Sequence, residues 1–108
     1  MALLTAQQIT IAGTTPSYAT VTASDTCVPD DRQFLHDKNT NAGADSLVVV
    51  VPGTYLGQAI PDVPITVPAT TGDKMIGPLN AALADPTTGL ITITHTVTTT
   101  NSSALMRI

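Results

Sequence analysis

The chain has 108 residues and a formal charge of −4, with eight aspartates, no glutamate and only four lysines and arginines. That length suits one domain burying roughly 65% of its unfolded surface, and so few basic residues exclude the clustered Lys/Arg patches that bind nucleic acid or anionic membranes. A single cysteine, Cys27, excludes an internal disulfide framework.

Threonine fills 20 positions, and with valine and isoleucine it makes about a third of the chain β-branched. Two substituents on Cβ restrict χ1, which disfavours helix and suits a pleated sheet. In chain order, Met1-Ala2-Leu3-Leu4-Thr5 lacks the basic and long apolar regions of a signal peptide, so a soluble protein made in a cytoplasm is expected. Residues 7–12 read as a first strand, with Ile9 and Ile11 on one face, and residues 17–23 as a second. Ser24-Asp25-Thr26 reads as a polar turn, and Cys27 as a small, partly buried hydrophobe. Residues 34–38 form a short strand that leads into Asn39-Thr40-Asn41-Ala42-Gly43, a loop of αL-tolerant residues.

Residues 46–51 include four consecutive valines, the mark of a central strand covered on both faces or of one at a subunit contact. Pro52-Gly53-Thr54 stops it, and the segment to Pro61 reads as a loop whose Tyr55, Leu56 and Ile60 pack down on the core. Val63, Ile65 and Val67 alternate with Pro64, Thr66 and Pro68, which predicts an edge strand because proline cannot donate to the ladder. Residues 73–76 form a further strand, closed by Gly77-Pro78, and residues 79–84 a single helical turn. After Gly89, Ile91, Ile93, His95 and Val97 line one face of a strand and Thr92, Thr94, Thr96 and Thr98 the other. Asn101-Ser102-Ser103 is expected to turn into a last strand over residues 104–108, so that the chain acts as a compact unit docked at its ends.

These elements predict an all-β fold: a single-domain β-sandwich over residues 1–108, jelly-roll or Ig-like, with about eight short strands and at most one helical turn. The expected core is Val48, Val50, Ile65, Val67, Ile91 and Ile93. The longest apolar run, residues 47–53, is far short of the ~20 residues of a membrane span.

Candidate chemistry is sparse. Asp37-Lys38-Asn39-Thr40-Asn41 places oxygen ligands as an EF-hand loop begins, then has Ala42 where the turn needs glycine and Val48 where the closing carboxylate belongs. His36 and His95 are metal-ligand types that Cys27 or Asp37 could join by chemistry, but no tight paired spacing supports such a site. His95 reads instead as a hydrogen-bonded core or interface histidine. Ser17, Ser24, Ser46, Ser102 and Ser103 lack a G-x-S-x-G elbow, and Asp30-Asp31 are neighbours whose side chains point apart. The expectation is a non-enzymatic protein with no catalytic, cofactor or metal residues, whose melting is the same in EDTA and in calcium.

Five stretches carry a resemblance: Phe34-Leu35-His36-Asp37-Lys38-Asn39, Val51-Pro52-Gly53-Thr54, Ile65-Thr66-Val67-Pro68-Ala69, Asp73-Lys74-Met75-Ile76-Gly77-Pro78-Leu79, and Asp85-Pro86-Thr87-Thr88-Gly89-Leu90-Ile91-Thr92-Ile93-Thr94. Together, across about residues 33–96, the chain resembles small virion proteins of tailed phages infecting actinobacteria, encoded among the head genes. The resemblance implies a capsid decoration (minor capsid) protein on the capsid exterior, bound to the major capsid protein and stabilising the head. Such members usually carry valine or leucine where this chain has Asp37, so a solvent-facing loop is expected there. The unbroken valine strand and the apolar row through His95 add an expected self-association, a trimer or other symmetric oligomer. A head–tail connector or tail component is the alternative; a carbohydrate-binding sandwich is a weaker one, since the chain has no tryptophan and two tyrosines.

Overall fold

Interior and exterior alternate along Gln33–Asn39 and Asp45–Val49, and the phase of that alternation sets the architecture. A computed structural model describes residues 2–108. Among them twelve strands form: β1 (Ala2–Leu4), β2 (Gln7–Gln8), β3 (Ala19–Thr20), β4 (Ser24–Cys27), β5 (Gln33–Asn39), β6 (Asp45–Val49), β7 (Thr54–Tyr55), β8 (Gln58–Ala59), β9 (Val63–Val67), β10 (Gly72–Ile76), β11 (Ile91–Thr94) and β12 (Asn101–Arg107). One sheet has the order β1-β4-β11-β6-β9; the other runs β10-β5-β12-β2, with β3 also on β12. The pairs β1 with β4 and β2 with β12 are parallel, and the remaining pairs are antiparallel. The molecule measures 43 × 35 × 19 Å, the proportions of a slab two sheets thick.

The sheets meet through one apolar cluster. Cys27, Leu47, Val49, Val67, Ile91 and Ile93 come from the first sheet, Leu35, Ile76 and Leu105 from the second, and Leu79 closes the end. Each fully buried aliphatic contributes about 1.5–3 kcal/mol, so this cluster is the main source of stability. The chain is therefore an all-β sandwich, as composition indicates. The helical element is a 3-10 turn over Ala81–Leu83, with the Asn80 side chain accepting the Ala82 N–H at 3.1 Å.

Several local expectations are corrected. Leu47 and Val49 point into the core, while Val48 and Val50 are half-buried on the outer face. The inward phase is fixed by Asp45, Leu47 and Val49 lying opposite Val67, Ile65 and Val63 of the edge strand. Ser24-Asp25-Thr26 is not a turn but most of β4, an interior strand held between β1 and β11. Asp37 and Asn39 are not in a solvent-facing loop; both are fully buried on β5. Tyr55 and Leu56 do not pack on the core but project from the β7–β8 hairpin, and Asn101-Ser102-Ser103 begins β12 rather than turning into it. The first two strands are shorter than expected, because residues 9–18 leave the ladder.

Candidate functional site

Five strands bring polar residues to the same end of the interior. Counting by twos along inward faces gives Asp25 then Cys27 on β4, Leu35 then Asp37 and Asn39 on β5, and Asp45 then Leu47 and Val49 on β6. Ile91 and Ile93 on β11 are followed by His95, and Asn101 and Ser103 on β12 precede Leu105. Every one of these polar residues is buried, and Asp37, Asp45 and Asn39 have no exposed surface. The register places Asn101 opposite Asn39 and Ser103 opposite Asp37, so the second sheet contributes a continuous polar patch.

Asp45 is the hub. Its Oδ1 accepts the Thr96 N–H at 2.9 Å, the Val97 N–H at 3.0 Å and the Thr96 hydroxyl at 3.3 Å. Its Oδ2 accepts His95 Nδ1–H at 2.7 Å and the Asn101 amide at 2.9 Å. Burial opposes ionisation of Asp45, but the hydrogen bonds from His95, Val97 and Thr96 outweigh it and hold its carboxyl below the usual range. Residues 96 and 97 follow the end of β11, so this one carboxylate anchors the chain as it leaves the sheet. Asp25, from β4, accepts the Thr22 hydroxyl through Oδ1 and lies 3.9 Å from His95 Nε2 through Oδ2.

Asp37 differs. Neither of its oxygens has a hydrogen-bond partner among the described residues, and the same holds for His95 Nε2 and Asn101 Oδ1. Burial pushes the Asp37 carboxyl up to about 6, with the Asp45 charge adding to the rise. One ligand atom from each of Asp37, Asp45 and His95 lies within 4.8 Å of the other two. Unpaired carboxylate oxygens in a sandwich interior carry a large desolvation cost.

The outer surface offers two further features. On the second sheet His36 Nε2–H donates to the Asp73 carboxylate, which leaves Nδ1 to accept the Tyr18 hydroxyl at 2.6 Å. Lys38 Nζ sits 4.5 Å from the Tyr18 ring centroid. These contacts fasten the 9–18 segment over β5 beside a shallow hollow of about 280 Å³ lined by Ile9, Phe34, Met75 and Met106. The second feature is the tip of the β7–β8 hairpin. Both loop residues are left-handed, Leu56 at φ 51° and Gly57 at φ 80°. Two-residue hairpin loops of this kind favour Asn-Gly or Asp-Gly, not a leucine. Leu56 is 86% exposed there and Tyr55 73% exposed.

Of the metal-ligand types named from sequence, the fold brings His95 and Asp37 together and leaves the others apart. His36 faces outward from the same strand whose Asp37 faces inward, because adjacent strand residues point to opposite faces. Cys27 lies in the apolar cluster with the Gln33 amide 3.9 Å from its sulfur. Asp30 pairs with Arg107 Nε at 2.8 Å while Asp31 is exposed, so the two form no carboxylate dyad. The Asp25–Asp45–Asn101 part of the cluster went unread, although a signal exists: each polar residue sits two or four positions from a core aliphatic on its own strand, in phase with it. No protein-family model, curated protein or solved structure matches this chain.

Proposed function

We propose that this protein is a structural, non-enzymatic virion component that decorates the capsid of a tailed phage, docking on the major capsid protein and stabilising the head. The hairpin tip is the observation that carries the reading. A left-handed backbone at a non-glycine residue costs about 1 kcal/mol, and Leu56 adds exposed hydrocarbon to that cost. Among the described residues Leu56 gains no burial to offset either, whereas a hydrophobic socket on a partner protein does. Tyr55 beside it supplies the kind of aromatic anchor that dominates interface energetics. Ile11, Leu3, Val28, Met75 and Ile108 are also exposed, which suits a protein held among neighbours on a lattice. The sequence resemblance to small head-gene products is what supports a capsid as that lattice.

Co-sedimentation of the full chain with heads assembled from the major capsid protein encoded alongside it tests this. Saturable binding that Leu56→Asn weakens by about tenfold or more, as expected for loss of a central anchor, is the predicted result. Absence of binding by the wild-type chain contradicts the proposal.

A further inference from the structure

We propose that the buried polar end of the sandwich is a structural metal site, in which Asp37 and His95 Nε2 bind one divalent transition cation, zinc by the chemistry of the donors. Asp45 is a positioning residue that holds the imidazole from behind.

The unpartnered atoms carry the inference. Since His95 donates Nδ1–H to Asp45, its Nε2 presents a lone pair. The orphaned atoms are then two carboxylate oxygens, an imidazole nitrogen and the Asn101 amide oxygen, all acceptors and all buried. Acceptors without donors call for a cation. A metal about 2.0–2.2 Å from each ligand separates those ligands by about 3–4.4 Å, depending on the angle. One ligand atom from each of Asp37, Asp45 and His95 lies within 4.8 Å of the other two, so binding draws the side chains inward to that range.

Donor type narrows the ion. Calcium and magnesium favour all-oxygen shells, while a mixed imidazole–carboxylate set suits zinc. Asp45 behind the ring completes a carboxylate–histidine–metal arrangement, which fixes the tautomer and raises the basicity of the ligand nitrogen. Three buried carboxylates meet no lysine or arginine in this cluster, and a divalent ion offsets most of their charge. Asp37 lies on β5 of one sheet and His95 directly follows β11 of the other, so the ion ties the two layers together. Asp37, Asp45 and His95 come from separate parts of the chain, which is why no spacing motif announces them. This inference is independent of the decoration role.

The full chain is refolded in EDTA or in zinc chloride and freed of excess metal by gel filtration. Bound zinc is then measured by mass spectrometry, and both forms are melted. The expected result is about one zinc per chain and a melting temperature several degrees higher in the zinc form. Asp37→Asn keeps the size and leaves the Asp45 network intact; it should lower zinc affinity about tenfold or more without lowering the melting temperature of the EDTA form. His36→Gln, on the outer face, should bind as the wild type does. Cobalt in place of zinc should give the wild type a visible absorption band of a four-coordinate nitrogen–oxygen site, a readout that needs no variant. Coincident melts with no retained zinc overturn the proposal, leaving at most a buried water between these groups. Zinc retained equally by Asp37→Asn, or lost in His36→Gln, overturns it by placing the metal elsewhere.

Discussion

Side chains one position apart on β6 have opposite fates. Val49 is 2% exposed within the apolar cluster, and Val48 faces outward. Val49→Ala should cost about 2 kcal/mol and Val48→Ala about 1 or less, by urea unfolding. Equal costs would place the strand in the other phase. Ile93 has no exposed surface and pairs with strands on both sides, so Ile93→Ala should cost about 2–4 kcal/mol, a large part of an ordinary domain's stability. Cys27 gives a pH-dependent effect at the same scale. Burial pushes its thiol from 9.0 up to about 11. The folded state thus keeps a proton that the unfolded state loses first, so the contribution is complete below pH 9 and falls as pH rises to about 11. The slope is about 1.4 kcal/mol per pH unit. Urea unfolding from pH 8 to 10.5 should show a steeper alkaline loss for the wild type than for Cys27→Ala; parallel curves would mean that the thiol is not held in the core.

At the scale of elements, the β7–β8 hairpin is built against its own local preference. Leu56→Asn replaces a strained, exposed leucine with a residue that tolerates the left-handed region. The isolated chain should become more stable by about 0.5–1 kcal/mol in thermal or urea unfolding, while head binding falls. A loss of stability instead would mean that Leu56 packs within its own chain. The hairpin was misread from sequence because apolar residues are placed inside by default, and no local signal says that a leucine faces water. Strand β9 was legible for the opposite reason: Pro64 and Pro68 forbid a second ladder, and β9 does form the edge of its sheet. Ser24-Asp25-Thr26 has turn chemistry, yet pairing with both β1 and β11 overrides it. The polar cluster is a tertiary object; Asp25, Asp37, Asp45 and His95 meet only once both sheets are assembled. Its one trace in sequence is the in-phase spacing of these residues with Cys27, Leu35, Leu47 and Ile93.

As a whole molecule, the protein is a 19 Å thick slab whose interior is divided between an apolar cluster and a polar end, and whose surface carries exposed hydrocarbon with little charge. Lattice binding through such a surface should be largely insensitive to salt, because few charges are available to drive it. Stable contacts should bury about 1,000 Å² or more, divided between the shell and neighbouring copies. A decoration protein occupies every equivalent site of a symmetric shell, whereas a neck or tail ring holds few copies. The copy number in purified virions, by quantitative mass spectrometry, therefore separates the two roles. Decoration requires on the order of hundreds of copies per particle, while about a dozen or fewer, or none, would rule it out.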